Sequence, residues 1–417
     1  MKNTKLSLVL AGMLALTTTT YADDKSDIAE LKQQVKELQE QTQTLTDETS
    51  DLQTGFNYTV LDDSKSYTGL GIAASKVYYS KSPLSIGGYG EMYYANTKKD
   101  GTTSSVVDVY RFVPYIGYKF TDNIILNTEL EFEHGGSKQG SDNLSGGYVI
   151  VEFMYLDFLI HENFNARVGN ILVPMGLINE RHEPTLFNTV QRPSTEKYLI
   201  PSTWHESGAM VYGNIVEGVQ YKAGFFAALN TTDNNKEWIR EGRAGSLKQK
   251  NPGIGYIARV DYTGTTGLLV GASVYGQSDL LMVDAHIDYK IKGARVYGVY
   301  TQTSRTNATD VNAVSAPESA KGGYLNLSYD VLSTTSSDFS LPVFLQYESV
   351  NTTDSAAGTA PVTTSAVGTT TLGINFFPHP QVVLKMDYAM ADNQYGTVST
   401  ADKISSETLS ISMGFIF

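Results

Sequence analysis

The chain of 417 residues contains no cysteine. Disulfide scaffolds, thiol catalysis and cysteine-based metal sites are therefore excluded. Long hydrophobic runs are also missing, because no segment offers the roughly 18 uninterrupted apolar residues that a membrane-spanning helix requires. Basic residues are in the minority, with 31 Lys and Arg against 44 Asp and Glu, and the resulting net charge of −13 argues against nucleic acid as a partner.

Motifs for catalysis and for metal or cofactor binding are also scarce. No G-x-S-x-G nucleophile elbow occurs, and the six histidines show no spacing typical of metal ligands. Residues 69–74 match a G-x-G-x-x-A pattern but lack the preceding strand and following helix of a dinucleotide site. The sequence therefore predicts no enzymatic activity, no metal site and no cofactor.

The N-terminus carries two segments that precede the main domain. Residues 1–22 have the features of a secretory signal peptide: Lys2 and Lys5, an apolar run, and a small-residue cleavage site ending at Ala22. Residues 23–53 have the apolar spacing of heptads and predict a periplasmic coiled coil. Its apolar positions are Ile28, Leu31, Val35, Leu38, Leu45 and Leu52. An amphipathic helix folded back on its own domain is the alternative. Residues 54–84 are expected to form a linker.

Residues 85–417 resolve into short segments in which apolar and polar residues alternate, as in β-strands with one greasy face. The last of them, 406–417, places Leu409, Ile411 and Met413 on one face and ends on Phe417. Sixteen strands are predicted: 85–96, 106–120, 123–133, 147–160, 164–173, 205–215, 218–228, 254–264, 267–276, 280–290, 293–302, 321–332, 340–350, 367–377, 380–392 and 406–417. With no cysteines and no spanning helix, this pattern predicts an all-β, 16-stranded antiparallel transmembrane barrel.

The connections between these strands alternate in length. Turns such as 161–163 and 291–293 are short, whereas 134–146, 229–252 and 393–405 are long and polar, as expected for the periplasmic and external sides of a barrel. The short connection 277–279 breaks this rhythm.

Alternation of apolar and polar residues within the strands also predicts that Tyr110 faces lipid and that six basic side chains line the lumen wall. Those six are Arg111, Arg167, Lys222, Arg259, Arg295 and Lys385.

The longest connection, 174–204, is predicted to fold into the barrel as a constriction loop. It carries four prolines, which stiffen it, and apolar residues such as Phe187 and Trp204 that suit packing against a wall. Its charged residues are of both signs, so the sequence leaves the ion preference open. They are Glu180, Arg181, His182, Glu183, Arg192, Glu196 and Lys197.

Three stretches give the chain a family resemblance. Residues 75–94, the run RVGNILVPMGLINERHEP (167–184) and STWHESGAMVYG (202–213), together with the coiled coil, resemble the phosphate-selective porin O and P family. That resemblance implies a trimeric bacterial outer-membrane porin, surrounded by outer-membrane lipid, that passes small anions or other small hydrophilic solutes. The final strand resembles the signature that the barrel-assembly machinery reads. Two alternatives stay open: a general or cation-preferring porin, and a blocked structural or adhesin barrel.

Overall fold

The computed structural model describes residues 31–43, 66–136, 146–231, 237–245, 247–306, 308, 316–357, 366–393 and 405–417. The chain divides into two units, Met1–Thr59 and Val60–Phe417. In the first unit, residues 31–43 form an α-helix, α1. The predicted signal peptide and the rest of the predicted coiled coil lie outside the described residues. In the described part of the chain, no helix is both long and apolar enough to cross a membrane.

The second unit is a closed antiparallel barrel in which each strand pairs with its sequence neighbours. Its strands are β1 (Leu84–Lys99), β2 (Thr102–Thr121), β3 (Ile124–Glu133), β4 (Val149–His161), β5 (Phe164–Leu172), β6 (His205–Val216), β7 (Val219–Ala227), β8 (Ile254–Tyr262), β9 (Leu268–Gly276), β10 (Leu280–Ile291), β11 (Ala294–Arg305), β12 (Pro317–Asp330), β13 (Pro342–Ala356), β14 (Ala366–His379), β15 (Val382–Asn393) and β16 (Ser405–Ile416). The sixteen-stranded barrel predicted from the sequence is confirmed.

The barrel closes between its first and last strands. β1 pairs with β16 in antiparallel register from Tyr89 opposite Ile416 to Lys99 opposite Ser406. Phe417 extends the ladder, because its amide and carbonyl exchange hydrogen bonds with Gly88 (2.9 and 3.0 Å). Its ring also stacks on Phe112 of β2 with the ring centroids 6.2 Å apart. The final aromatic residue therefore contributes to the pairing of the last strand with the first, at the end of the barrel where the short turns lie.

Strand ends follow the local chemistry of the turns. β1 and β2 are joined by Asp100 and Gly101, both with positive φ (51° and 79°), as a two-residue hairpin turn requires. The connection 277–279 is short in the structure as well.

Pro114 lies within β2, but the ladder to β3 is interrupted at residues 113–114. A proline is tolerated there because its missing amide leaves no broken hydrogen bond.

Side chains alternate between an exposed apolar outer face and a buried inner face. In β8, Ile254, Tyr256 and Val260 are exposed, whereas Arg259 and Asp261 are buried. The prediction for Tyr110 is wrong, because Tyr110 lines an internal cavity beside Arg111. A bulge is the cause. One additional residue of β2 is inserted between the pairs Glu91–Arg111 and Tyr93–Asp108, and this insertion reverses the alternation beyond it.

Candidate functional site

The connection 173–204 lies inside the barrel and is almost entirely buried. Wall side chains hold its backbone at several points. The Tyr297 hydroxyl accepts the Asn188 amide (2.9 Å), Asp387 accepts that of Val190 (2.6 Å), and Glu348 accepts that of Thr195 (2.6 Å). A short π-helical turn, Thr195–Leu199, packs against β11, β12 and β13. The loop is therefore fixed to the far wall of the barrel rather than projecting outside.

A second segment, residues 66–80, also lies inside the barrel. The sequence predicts this segment as part of the linker 54–84, but Leu70, Ile72 and Val77 are each at most 5% exposed. It contains the short helix α2 (Lys76–Tyr79). Gly117 on the inner face of β2 leaves the space that Val77 occupies, because any Cβ at residue 117 would overlap the Val77 side chain. Two chain segments, 66–80 and 173–204, therefore lie within the lumen.

The two internal segments are bonded to each other and to the wall. The Gly71 amide donates to the Glu180 carbonyl (2.8 Å). The Tyr78 hydroxyl donates to Asp157 (2.6 Å), which also accepts from Arg167 (2.8 Å). The Asn127 side chain of β3 donates to the Ala74 carbonyl (2.9 Å). The lumen is thus crossed by a single connected network rather than by two independent segments.

The three loop glutamates all point away from open space. Glu180 pairs with Lys222 of β7. Glu183 accepts the amides of Ala73 and Ala74 (3.1 and 3.0 Å), which ties the loop to segment 66–80. The third, Glu196, accepts two amides of its own loop, Leu177 and Ile178, and the Tyr324 hydroxyl (3.1, 2.6 and 2.7 Å). The negative charges of the loop are therefore engaged in structural hydrogen bonds and ion pairs.

Burial also shifts the titration of the loop side chains. Burial raises the pKa of Glu183 and of Glu196 to about 7, although the hydrogen bonds that each carboxylate accepts act to lower its pKa. Burial lowers the pKa of Lys197, and the nearby Arg240 guanidinium lowers it further. The two glutamates therefore change charge near neutral pH.

The basic loop residues have different surroundings. Arg181 pairs with Asp288 of β10 (3.3 Å). His182 is buried between Asn179 and Glu129. Arg192 donates to the His182 carbonyl (3.3 Å), and the Lys197 ammonium lies over the ring of Tyr198, 5.4 Å from its centroid. Of these four, Arg192 and Lys197 are the ones that border an internal cavity.

That cavity, here called the outer vestibule, lies at the end of the barrel where the long loops are. It has a volume of about 390 Å³. Besides Arg192 and Lys197, Arg240 and Arg243 from the connection between β7 and β8 line it. Both arginines donate to backbone carbonyls of the constriction loop, including Ser202 and Thr203. Across the described residues, no ion pair joins any of these four cations to a carboxylate. The acidic lining residues are Glu131, which pairs with Arg111, and Glu133.

A second cavity, of about 630 Å³, lies at the short-turn end. Thr185 and Asn188 of the constriction loop line it together with Lys290, Lys292 and Arg295 near the turn between β10 and β11. Here Arg295 is paired bidentately with Asp288, its nitrogens 2.8 and 2.9 Å from the carboxylate oxygens. The constriction loop thus borders both cavities. It contributes the charged residues Arg192 and Lys197 to the outer vestibule and the uncharged residues Thr185 and Asn188 to the second cavity.

The six wall cations named from the sequence all point inward and are all engaged. Arg111 contacts Glu91 and Glu131, Arg167 contacts Asp157, Lys222 contacts Glu180, Arg259 contacts Asp261, Arg295 contacts Asp288, and Lys385 donates to the carbonyls of Phe187 and Thr189. Sequence reasoning missed Arg240 and Arg243, because their loop is mostly polar. The one signal is the apolar pair Trp238 and Ile239, both fully buried.

Comparison with known proteins identifies a relative. The chain is 33% identical over 360 residues to a protein of Aquifex aeolicus (strain VF5) described as uncharacterized, and the match spans 79% of this chain and 80% of that protein. The chain belongs to the family of this Aquifex protein. No protein-family model matches the chain. Membership in this family therefore assigns no activity to the chain.

Solved structures show the fold. The outer membrane channel DcaP of Acinetobacter baumannii superposes with a TM-score of 0.51 at 12% identity, over 81% of this chain and 99% of that chain. Salmonella typhi OmpF in complex with daunomycin also gives a TM-score of 0.51, at 11% identity over 80% and 97% of the two chains. The barrel therefore has the fold of outer-membrane porins. At this level of identity the likeness extends to the fold alone.

Proposed function

We propose that the protein is an outer-membrane channel for passive diffusion of small hydrophilic solutes and that it prefers anions. The observation that carries the preference is the charge distribution around the constriction loop. Arg192, Lys197, Arg240 and Arg243 border the outer vestibule and form no ion pair with a carboxylate of the described residues, while Glu180, Glu183 and Glu196 are turned into structural contacts.

Local charge outweighs the net charge of −13 in such a site. Charges beyond about 8 Å are screened at physiological salt, whereas a cavity with low-dielectric walls concentrates the field of the charges that line it. Ion selectivity in pores follows from the charges that line the narrow region. The unpaired cations of the vestibule therefore favour entry of anions. Membership in the phosphate-selective porin O and P family, and phosphate as the solute, are part of this proposal.

The location belongs to the same proposal. The exposed apolar outer face of the barrel suits outer-membrane lipid, and the Phe417 strand suits recognition by the barrel-assembly machinery. A signal peptide at residues 1–22 accounts for export. Because the fold is shared with channels, we expect transport rather than catalysis.

Reversal potentials across a planar bilayer under a salt gradient test the preference. We expect anion preference in the wild type and a lower anion-to-cation permeability ratio in Arg192→Gln with Lys197→Gln. A unit charge about 8 Å from a passing ion in water contributes about 0.5 kcal/mol, and screening at physiological salt reduces this to about 0.2 kcal/mol. Each charge favours the anion and disfavours the cation by that amount, so the loss of two charges predicts a drop in the ratio of about fourfold. The matched control, Lys98→Gln with Lys99→Gln, removes two exposed charges at the end of β1 and should leave the ratio unchanged.

Two outcomes count against the proposal. A cation preference that persists in Glu180→Gln with Glu183→Gln shows that the filter lies outside this loop and that the protein is a general or cation-preferring porin. Absence of any conductance favours a blocked structural or adhesin barrel. A specific observation supports the blocked barrel as the second candidate, because segments 66–80 and 173–204 both occupy the lumen.

We further propose that the protein assembles as a homotrimer through its N-terminal coiled coil. Helix α1 supports this part of the proposal, because Leu31, Val35 and Leu38 lie on one stripe and are 51–60% exposed. An isolated helix of this length is marginal in water, so a stripe of this kind is stabilised when it packs against copies of itself. Light scattering of the detergent-solubilised protein measures the number of chains, and a monomer contradicts the proposal.

A further inference from the structure

Three side chains from distant parts of the chain converge beside the outer vestibule. Glu129 of β3, Glu152 of β4 and His182 of the constriction loop each offer one ligand atom, and these atoms all lie within 4.8 Å of one another. All three residues are at most 2% exposed. They are separated by at least 23 residues along the chain, so no sequence spacing announces the cluster.

The imidazole of His182 is held in one tautomer. Its Nδ1 lies 2.8 Å from the carbonyl oxygen of Asn179. A carbonyl oxygen only accepts hydrogen bonds, so Nδ1 carries the hydrogen and a neutral ring presents its lone pair at Nε2. That Nε2 lies 3.2 Å from Oε1 of Glu129. Two electron-rich atoms at this distance require a positive charge between them, either a proton or a metal ion.

Within the described part of the chain, the two glutamates have no strongly basic partner. Among the described residues, no Lys or Arg nitrogen lies within 4.0 Å of the Glu129 or Glu152 carboxylate, and the nearest ring nitrogen to Glu152 is Nδ1 of His205 at 4.0 Å. Oε2 of Glu129 and both oxygens of Glu152 lack a hydrogen-bond partner in the same part of the chain. Neighbouring carboxylates differ, since Glu91 and Glu131 share Arg111. A buried carboxylate of this kind is stable only when protonated, paired or bound to a cation.

We propose that Glu129, Glu152 and His182 bind a divalent transition-metal ion. Imidazole and carboxylate together suit ions such as Zn²⁺ or Mn²⁺, whereas Mg²⁺ and Ca²⁺ prefer oxygen ligands alone. The hydrogen bond from His182 to the Asn179 carbonyl is the outer-shell contact that metal-bound histidines usually make. Arg192 donates to the His182 carbonyl, and two carboxylates balance a divalent ion without adding net positive charge beside that guanidinium.

The position of the site indicates a structural role for the metal ion. β3, β4 and the constriction loop each supply one ligand, so the ion fastens the loop to the wall opposite the strands that hold Asn188, Val190 and Thr195. Glu131 and His205, which neighbour the cluster, line the outer vestibule and provide the route of entry. The ion is expected to stiffen the constriction, separately from any effect on ion preference.

Zinc titration of the folded, untagged mature chain tests the site. After treatment with EDTA and dialysis, calorimetry with ZnCl₂ should give one equivalent bound per chain, and zinc should raise the melting temperature. Glu152→Gln and His182→Gln should each weaken zinc binding by at least about tenfold. The control Glu348→Gln also alters a buried carboxylate that holds the loop, and it should bind zinc as the wild type does.

X-ray absorption of the zinc-loaded wild type gives a second readout that does not depend on the variants folding. We expect one imidazole nitrogen together with oxygen ligands. Three or more imidazoles, or equal zinc affinity in wild type, Glu152→Gln and His182→Gln, place the metal elsewhere and overturn the site. A folded wild type that binds no stoichiometric Zn²⁺ or Mn²⁺ also overturns it and leaves a proton shared among the three side chains as the explanation.

Discussion

Glu183 shows how one buried side chain combines structural and electrostatic roles. Its ionised carboxylate accepts the amides of Ala73 and Ala74 and so joins the constriction loop to segment 66–80. Burial nevertheless raises its pKa to about 7. The charge of the constriction loop therefore varies near neutral pH.

The first prediction concerns the pH dependence of ion preference. As the pH falls from 8 to 5, Glu183 and Glu196 pass through pKa values of about 7 and become neutral, while the arginines keep their charge. The anion-to-cation permeability ratio should therefore rise at acidic pH. Reversal potentials recorded at both pH values in the same salt gradient measure it.

A double variant isolates the two groups from the other carboxylates of the lumen. In Glu183→Gln with Glu196→Gln, both positions are neutral at every pH, so the rise in anion preference between pH 8 and pH 5 should be smaller than in the wild type. An identical rise in both proteins would assign the effect to other groups.

Prediction at the scale of single residues gives the direction of a side chain where a strand is regular, but not at the bulge of Tyr110, and it does not give the partners. The inward orientation of Arg167 or Lys222 follows from the period of a strand, which is a local property. Their partners, Asp157 in one case and Glu180 in the other, depend on how strands and loop are brought together. The same reason hides the cluster of Glu129, Glu152 and His182 from the sequence.

At the scale of elements, the strands were predictable and segment 66–80 was not. Sixteen alternating segments, bounded by turn residues, identify strands because their hydrogen-bonding partners are adjacent in the chain. Segment 66–80 has one short helical turn, and its burial depends on contacts with β2, β3, β4 and the constriction loop. Paired tyrosines such as Tyr67 and Tyr78, which stack at 3.8 Å, were the available signal.

The second prediction tests whether segment 66–80 narrows the channel. In Gly117→Ala the new methyl group overlaps Val77, and overpacking of this kind costs roughly 1–3 kcal/mol. We expect displacement of the segment, larger single-channel conductance, and faster trypsin cleavage at Lys76 or Lys81. Bilayer recordings and limited proteolysis measure these effects.

Two further variants serve as controls for this experiment. Gly276→Ala adds the same methyl group in β9, where the nearest atom is 3.9 Å away, and should leave conductance unchanged. Adding Val77→Gly to Gly117→Ala removes the overlap and should restore slow cleavage. Unchanged conductance in Gly117→Ala, despite faster cleavage, would mean that the segment lies beside the permeation path rather than in it.

On the scale of the whole molecule, closure of the barrel explains why the wall needs no disulfide. Every strand has two neighbours, and the last residue bonds back to Gly88, so the ladder has no open edge. Closure does not determine the number of subunits, because the outer face is apolar around the barrel whether it meets lipid or another copy. Assembly must therefore be argued from the separate N-terminal unit.

The third prediction concerns that unit. Replacing the seam residues Leu31, Leu38 and Leu45 by serine removes the apolar stripe that packs between subunits in a coiled coil. Serine at Gln33, Glu40 and Asp47, which the heptad spacing of the sequence places outside the apolar stripe, serves as the control. If the helix holds the trimer together, the leucine variant should dissociate at a lower temperature than the wild type, and the control should not. Conductance should persist in both, because the barrel closes on itself. Equal dissociation temperatures in all three proteins would assign the helix to another task, such as contact with the cell wall.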